Sequence, residues 1–379
     1  MMRYLEEFRY EPLAVRLVHQ IALETSCYRS YRFMEFCGGH THALARYGIE
    51  DLLPKNIEMM HGPGCPVCVL PAARIDAAIR LAQQDNIVIC AYGDLIRAPG
   101  SHGNSLLRAR ASGADVRMIY SPLDAIKIAV AHPDKEIVFF AIGFETTTPP
   151  TALAVQIAQR DKIKNFSVFC NHVLTPAAMR HILTESQSAP GQRQAINGLV
   201  GPAHVSAIIG YESYKQITEN FARPIVIAGF EPIDILQALL MLLRQVNAQR
   251  AEIENQYDRA VTGQGNYSAI DAMADTFELR ESFEWRGIGE LPNSAIKLKK
   301  NYCRQDAEER FNMSAVAVPD NPACECGQIL RGRKKPQECK LFGKACRPDT
   351  PLGACMVSAE GACAAHWAYG RFRDEAEAR

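Results

Sequence analysis

The stretch Ile137-Val138-Phe139-Phe140-Ala141-Ile142 is an unbroken apolar run, and the polar loop Gly143-Phe144-Glu145-Thr146-Thr147 follows it directly. Such a run is typical of a strand that is buried on both faces of a parallel sheet. Amphipathic helical sequence begins again at Thr151–Gln159. The order of strand, loop and helix therefore predicts a βα unit whose loop lies at the carboxyl edge of a sheet, where ligands usually bind.

The same order recurs along the first two thirds of the chain. Short apolar or β-branched runs predict strands at Arg32–Phe36, Ile57–Met60, Ile87–Ala91, Val116–Tyr120, Ile137–Ile142, Phe166–Cys170 and Ile225–Ala228. Amphipathic stretches predict helices at Leu13–Thr25, Pro71–Gln83, Leu123–Ala131, Thr151–Gln159, Pro176–Thr184 and Pro232–Val246. This alternation indicates the α/β class. We expect two Rossmann-like parallel-sheet domains, residues 1–121 and 122–246, with the boundary near Ser121–Pro122.

Residues 247–379 have a different texture, in which charged helical sequence gives way to glycine-rich loops and then to a cysteine-rich end. We expect a third, smaller domain here, made mostly of helices and loops. Its apolar core is short, so a bound metal would supply stability that packing alone does not. The N-terminal helix is expected to pack on this third domain.

The overall composition excludes several classes of function. The 379 residues contain 42 Lys+Arg and 42 Asp+Glu, so the chain lacks the basic surplus that a nucleic-acid or anionic-membrane binder needs. The polar start Met1–Tyr10 contains no apolar segment typical of a secretion signal. The longest apolar stretch, Ile235–Leu243, is roughly half of the ~20 residues that a membrane span requires. We expect a cytoplasmic protein with no membrane or nucleic-acid partner.

Thirteen cysteines are distributed unevenly, with none between residues 171 and 302 and seven after that gap. Structural disulfides are rare in the cytosol, so metal binding or redox chemistry is the expected use of several of these thiols. Cys27, Cys90 and Cys170 have apolar neighbours in the sequence and are expected to pack as small hydrophobic residues.

Two cysteine loops follow neighbouring predicted strands. The first reads Cys37-Gly38-Gly39-His40-Thr41-His42, and the second reads Gly62-Pro63-Gly64-Cys65-Pro66-Val67-Cys68. Glycine lets the backbone approach a ligand closely, and a helix N-terminus after each loop favours the thiolate form of cysteine. We expect the two loops to meet at one edge of the sheet.

The residue types in these loops leave three kinds of site open. Cys37, Cys65 and Cys68 with His40 or His42 could form a Cys₃His zinc site. The same residues could hold iron with exogenous ligands. Alternatively, Cys37 could be a nucleophile next to a Cys65–Cys68 redox pair.

Other polar residues carry weaker signals. His61, His102 and His172 lie at predicted strand ends or in glycine-rich loops, and each is expected to be an ordinary hydrogen-bonded histidine. The loop Phe144–Pro150 either caps the helix that follows it or forms a polar wall of the same cleft.

The C-terminal cysteines form the second strong pattern, with the spacing Cys324-x₁₄-Cys339-x₆-Cys346-x₁₆-Cys363. Structural zinc sites usually use closely paired cysteines, which this spacing lacks. Four thiolates on wide loops can ligate a [4Fe–4S] cluster. We favour the cluster, with structural zinc as the alternative.

Taken together, the two cysteine loops, the Gly143–Thr147 loop and the C-terminal spacing resemble the HypD family, which matures [NiFe]-hydrogenases. The resemblance extends from about residue 30 to about residue 365. It implies two α/β domains and a third domain that carries a [4Fe–4S] cluster. It also implies a scaffold that holds iron together with HypC, accepts cyanide from HypE, and passes an Fe(CN)₂CO unit to the hydrogenase large subunit.

The resemblance further implies roles for individual residues. Cys37 is the expected iron ligand, shared with a cysteine of HypC, and Cys65 and Cys68 are the iron-proximal redox pair. His40 is the fourth expected catalytic residue. The remaining cysteines divide into expected cluster ligands and a spare thiol pair, namely Cys324, Cys339, Cys346 and Cys363, and then Cys326 with Cys355.

A protein of this kind is a cofactor-assembly scaffold with redox activity rather than a simple turnover enzyme. Two other functions fit the residues without the resemblance. One is a Cys₃His zinc-binding module, and the other is a thioredoxin-like thiol–disulfide reductase.

Overall fold

The computed structural model describes residues 9–188, 195–313 and 318–370. The strands are β1 (Tyr31–Glu35), β2 (Ile57–His61), β3 (Ile87–Ala91), β4 (Asp115–Met118), β5 (Glu136–Gly143), β6 (Phe166–His172), β7 (Gly198–Pro202), β8 (Ile225–Ala228), β9 (Ile253–Asn255), β10 (Phe277–Leu279), β11 (Ser282–Trp285), β12 (Gly289–Pro292) and β13 (Ile296–Leu298).

The α-helices are α1 (Glu11–Glu24), α2 (Gly38–Tyr47), α3 (Ile49–Leu52), α4 (Pro66–Val69), α5 (Ala72–Ala82), α6 (Gly93–Arg97), α7 (Leu106–Ala111), α8 (Pro122–Ala131), α9 (Thr148–Arg160), α10 (Thr175–Ser188), α11 (Ala203–Ile209), α12 (Lys215–Phe221), α13 (Pro232–Asn247), α14 (Tyr267–Thr276), α15 (Ala307–Arg310), α16 (Cys326–Leu330) and α17 (Ala362–Tyr369). Short 3₁₀ helices lie at Ser101–Gly103, Tyr211–Tyr214, Lys300–Gln305, Pro336–Glu338 and Ala354–Met356.

The α/β class is confirmed, because nine strands form two sheets in which every pairing is parallel. The first sheet has the order β2-β1-β7-β8-β9, and the second has the order β4-β3-β5-β6. The run that predicted a doubly covered strand is β5, which is buried from Ile137 to Gly143 and pairs with β6 along its length. Helices cover these apolar strands on both faces, as a parallel sheet requires.

The boundary expected near Ser121–Pro122 does not separate the two sheets. Strands β3 and β4 lie before it, yet they pair in the second sheet with β5 and β6, which lie after it. The first sheet takes β1 and β2 from the start of the chain and β7 to β9 from residues 198–255, so the second sheet is inserted into the first. The sequence did not predict β7, because Gly198, Gly201 and Pro202 are poor strand formers.

The N-terminal helix also lies elsewhere than expected. Helix α1 packs on α13, which covers one face of the first sheet. Glu24 of α1 forms an ion pair of 2.7 Å with Arg244 of α13. Its apolar face, with Leu17 and Ile21, belongs to the core on one side of the first sheet. The amphipathic pattern therefore predicted the helix but not its partner.

Residues beyond β9 do not form one separate body. Helix α14 packs on α9, and β13 contacts β6, so residues 267–310 cover the second sheet. Residues 318–370, which we call the cysteine-rich region, approach the first sheet instead, where α17 packs on α2. Within the described parts of the chain, no helix is both long and apolar enough to cross a bilayer.

Candidate functional site

The two cysteine loops meet at the carboxyl edge of the first sheet. Strands β1 and β2 are neighbours, with Glu35 opposite His61 at their ends. The Gly38 N–H donates to the Gly64 carbonyl oxygen over 3.2 Å. A Cβ on Gly64 would overlap the backbone of Phe36 and Cys37, so glycine is required for this close approach.

Cys37 is the N-cap of α2 and is almost fully buried. The Gly39 N–H donates to its Sγ over 3.3 Å, which satisfies one of the free donors at the helix start. Burial raises the pKa of the Cys37 thiol well above its ordinary value, and the Glu360 and Glu35 carboxylates raise it further. The thiol therefore gives up its proton most readily in exchange for a bound cation.

Glu35 holds the Cys37 loop in place. Its side chain is fully buried and accepts hydrogen bonds from the Cys37 N–H over 2.8 Å and from the Thr41 hydroxyl. The Nδ1 atom of His61 lies 3.0 Å from the same carboxylate. Burial by itself lowers the pKa of His61, but the hydrogen bond and charge of Glu35 outweigh it and raise the pKa.

His40 and His42 do not face the sulfur of Cys37. The Nε2 atom of His40 lies 3.1 Å from the carbonyl oxygens of Ala228 and Gly229, which accept a hydrogen bond from its N–H. The Nε2 atom of His42 lies 3.1 Å from the hydroxyl of Tyr369 in the cysteine-rich region. The structure therefore gives both histidines contacts that orient α2 rather than a place as ligands beside Cys37.

The histidine that faces Cys37 is His204, at the start of α11. Its Nδ1 and Nε2 atoms lie 3.5 Å and 3.8 Å from the sulfur. Burial lowers the pKa of His204 to about 4, with a smaller effect of His40. Sequence reasoning missed this residue, because the strand that places it, β7, was itself not predicted.

An aromatic ring forms the other wall beside Cys37. Phe230 follows β8, and its ring lies 4.8 Å from the ring of His40 and 5.2 Å from that of His204. A side chain on Gly39 would meet this ring as well as the Cys37 sulfur. The Cys37 sulfur thus faces His204, and the Phe230 ring packs against the rings of His204 and His40.

Cys65 and Cys68 are joined by a disulfide that closes the first turn of α4. Both residues are buried. In this form neither sulfur is a thiolate that could bind a metal, so the Cys₃His arrangement is not formed. Cys37 is left as the free thiol of these two loops.

The disulfide also borders the cysteine-rich region. The Cys68 sulfur lies 4.0 Å from the carbonyl oxygen of Ala354. Cys68, Cys324 and Cys326 line one cavity of about 370 Å³. Gly353 sits against the last two sulfurs, and a Cβ there would overlap the Cys324 Sγ, so the chain passes between the disulfide and these thiols only because this residue is glycine.

The C-terminal cysteines converge around Cys326. The Sγ atoms of Cys324 and Cys326 are 3.2 Å apart. A hydrogen bond with Cys326, followed by burial and by the nearby Cys355 and Cys346, raises the pKa of Cys363. Burial raises the pKa of Cys346, with smaller effects of Cys326 and Cys324. Three of the four expected cluster ligands therefore share one environment.

The fourth expected ligand, Cys339, lies on the outer side of this group. It is half-buried and interacts with Glu325 and Lys334. Among residues 9–188, 195–313 and 318–370, no three His, Cys, Asp or Glu side chains are arranged to hold a single metal ion. Four cysteine thiolates are a ligand set that either a [4Fe–4S] cluster or a structural zinc ion can use.

The loop after β5 contains a buried carboxyl group. Glu145 accepts hydrogen bonds from the N–H and the hydroxyl of Thr175, over 2.9 Å and 2.8 Å, at the start of α10. Burial raises the pKa of Glu145 to about 7. The hydroxyls of Thr147 and Thr148 donate to the Phe144 carbonyl oxygen. Thr147 is the N-cap residue of α9, but its side chain makes no capping hydrogen bond, so the capping interpretation is wrong for this residue.

Glu145→Gln is expected to change how stability depends on pH. The folded-state pKa is raised, so the carboxyl stabilises the fold when protonated, and this contribution is lost as pH rises through about 7. Relative to the glutamine variant, wild type should lose on the order of 1 kcal/mol between about pH 6 and pH 8. Urea unfolding at both pH values measures this. Glu231→Gln is the control, since that carboxylate pairs with Arg9 near the surface. Parallel pH profiles for wild type and Glu145→Gln would contradict the prediction.

The remaining sequence expectations concern single residues. His172 is buried and hydrogen-bonded to Thr151 over 2.9 Å, as expected for an ordinary core histidine. Cys90 and Cys170 are buried in the second sheet, which confirms their packing role. Cys27 is exposed instead, because it follows the end of α1.

Known proteins match this sequence over almost the whole chain. The profile of HypD, described as the hydrogenase formation hypA family, matches residues 13–370. The chain is 60% identical over 378 residues to hydrogenase maturation factor HypD2 of Bradyrhizobium diazoefficiens, covering 100% of both chains. It is 61% identical to HypD of Rhizobium leguminosarum bv. viciae, covering 99% of this chain and 97% of that one. HypD of Escherichia coli strain K12 is 43% identical, covering 99% and 100%.

Proposed function

Since the chain belongs to the HypD family, we propose that this hydrogenase maturation factor is the scaffold on which the Fe(CN)₂CO unit is assembled. The observation that carries the proposal is the buried free thiol of Cys37, which lies beside His204 and near two carboxylates. The negative charge of Glu35 and Glu360 disfavours a bare thiolate and favours a thiolate that is paired with a cation. Soft thiolate ligands suit iron that carries cyanide and CO.

The arrangement calls for a partner that completes the iron site. Cys65 and Cys68 are joined to each other, so among the described residues the two loops offer one free sulfur, that of Cys37. One thiolate leaves most positions of an iron ion open. We propose that a HypC-type partner supplies a second cysteine, and that HypE delivers the cyanide.

The disulfide fits a redox role in the same reaction. Release of cyanide from a thio-linked carrier consumes two electrons, and oxidation of a Cys65/Cys68 dithiol to the disulfide supplies two. The proximity of Cys68 to Cys324 and Cys326 supports a route by which the pair is reduced again. We propose that Cys324, Cys339, Cys346 and Cys363 hold a [4Fe–4S] cluster, which when bound supplies electrons to this disulfide.

A redox-dead pair tests the route. The Cys65→Ser/Cys68→Ser protein is expected to bind iron at Cys37 but to lose at least about 90% of the infrared intensity of cyanide and CO, because no dithiol is left to supply electrons. The measurement is infrared spectroscopy of protein purified together with its partner. Cys27→Ser, at an exposed thiol, is the matched control. A full set of bands from the double variant would show that the relay is wrong.

A thiol–disulfide reductase is the second candidate. The observation that favours it is the Cys65–Cys68 disulfide, which shares a cavity with Cys324. Both sulfurs are buried, however, which hinders attack on a protein substrate. Catalytic reduction of insulin by the metal-free protein would support the reductase over the scaffold.

A further inference from the structure

The imidazole of His204 presents both of its nitrogen atoms to the Cys37 sulfur. The distances of 3.5 Å for Nδ1 and 3.8 Å for Nε2 are nearly equal, so the ring edge between them faces the thiol. In the described part of the chain these nitrogens have no other hydrogen-bond partner. Each neutral tautomer carries one N–H, and the nitrogen that bears it lies within 3.8 Å of the sulfur, with its N–H directed to one side of the sulfur.

The other polar groups around Cys37 cannot fill this role. The His40 Nε2 proton is taken by the carbonyl oxygens of Ala228 and Gly229. The Thr41 hydroxyl donates to Glu35, and the Gly39 N–H donates to the sulfur itself. Glu35 and Glu360, when ionised, only accept hydrogen bonds. Among the groups named here, His204 is the side-chain donor that lies against the sulfur.

The two kinds of iron ligand differ in what they need from such a donor. Iron-bound cyanide carries negative charge on its nitrogen and accepts charge-assisted hydrogen bonds, whereas bound CO is a weak acceptor. Beside His204, the ring of Phe230 offers an apolar surface without a donor. A donor beside Cys37 therefore discriminates between cyanide and CO.

We propose that His204 is a positioning residue that donates a hydrogen bond to the nitrogen of a cyanide ligand on the iron held by Cys37. This inference rests on the proposed function. The hydrogen bond orients the unit on the scaffold and assigns cyanide to the side of His204.

Infrared spectra of the iron-loaded complex test the proposal. In wild type, transfer from H₂O to D₂O is expected to shift at least one cyanide band, because the donated proton exchanges. His204→Leu should abolish that shift and displace the same cyanide band, while the CO band moves less. His204→Gln keeps an N–H donor and should retain part of the D₂O shift. His19→Leu, at an exposed histidine of α1, should leave the bands unchanged.

The outcomes separate this inference from the function on which it rests. If wild type shows cyanide and CO bands that neither D₂O nor the His204 variants change, the hydrogen bond is wrong and the scaffold role stands. If the wild-type complex shows no such bands, the scaffold role and the hydrogen bond are both wrong. The D₂O shift is measured on wild type, so its absence overturns the proposal even where His204→Leu fails to fold.

Discussion

Replacement of Cys37 by alanine is expected to abolish retention of the iron unit. The side chain would lose the sulfur that the structure places beside His204. Loss of a residue that merely supports a metal ligand costs about 10–100-fold in affinity, so loss of the ligand itself should cost at least about 100-fold. Iron analysis and infrared spectroscopy of the purified complex measure this directly.

The fold should survive the same substitution. Alanine removes the acceptor for the Gly39 N–H at the start of α2, and loss of a helix cap costs about 1 kcal/mol. Thermal unfolding of the isolated chain checks this, with Cys27→Ala as a control at an exposed thiol. A Cys37→Ala protein that still carried cyanide and CO bands would show that the iron binds elsewhere.

Replacement of Cys346 by alanine is expected to prevent the cysteine-rich region from holding the proposed cluster. This buried cysteine shares its environment with Cys324 and Cys326, and a [4Fe–4S] cluster needs four thiolates. The loss should appear as a fall from about four irons per chain to nearly none and as disappearance of the broad visible absorbance. Metal binding stabilises a region with a small core, so residues 318–370 should also become more sensitive to proteolysis.

Two further variants make this measurement selective. Cys303→Ala changes an exposed thiol away from the group and should leave iron and colour unchanged. Cys326 lies at the centre of the group but is not one of the four expected ligands. Cys326→Ala should therefore retain the cluster. If Cys326→Ala loses the cluster while Cys339→Ala keeps it, then Cys326 replaces Cys339 among the ligands.

The secondary structure was largely predictable because it depends on local patterns. The apolar run of β5 and the proline-initiated helices α8 and α13 have the expected bounds to within a few residues. Pairing of strands that are distant in the chain does not follow from such patterns. The glycines of β7 concealed the strand that joins the two halves of the first sheet, so the boundary was expected in the wrong place.

Site residues were predictable where they lie together in one loop. They were less predictable where elements distant in the sequence meet. The approach of Cys37 and Cys65 follows from the glycines between neighbouring strands. The place of His204 depends on β7, and that of Glu360 on the packing of α17 against α2, which no spacing in the sequence reveals. For the same reason His40, the histidine nearest in sequence, was expected beside the metal, although its ring faces backbone carbonyl oxygens.

The insertion of one sheet into the other sets the order in which the chain can fold as it leaves the ribosome. The second sheet is contiguous from β3 to β6, so it can pair once residue 172 has been synthesised. Strand β1 pairs with β7, which is made later, and His204 follows β7. Cys37 therefore lacks the contact with His204 and the elements that bury it until more than half of the protein has been translated. The proposed iron site is completed late in synthesis, although its cysteine is among the first residues made.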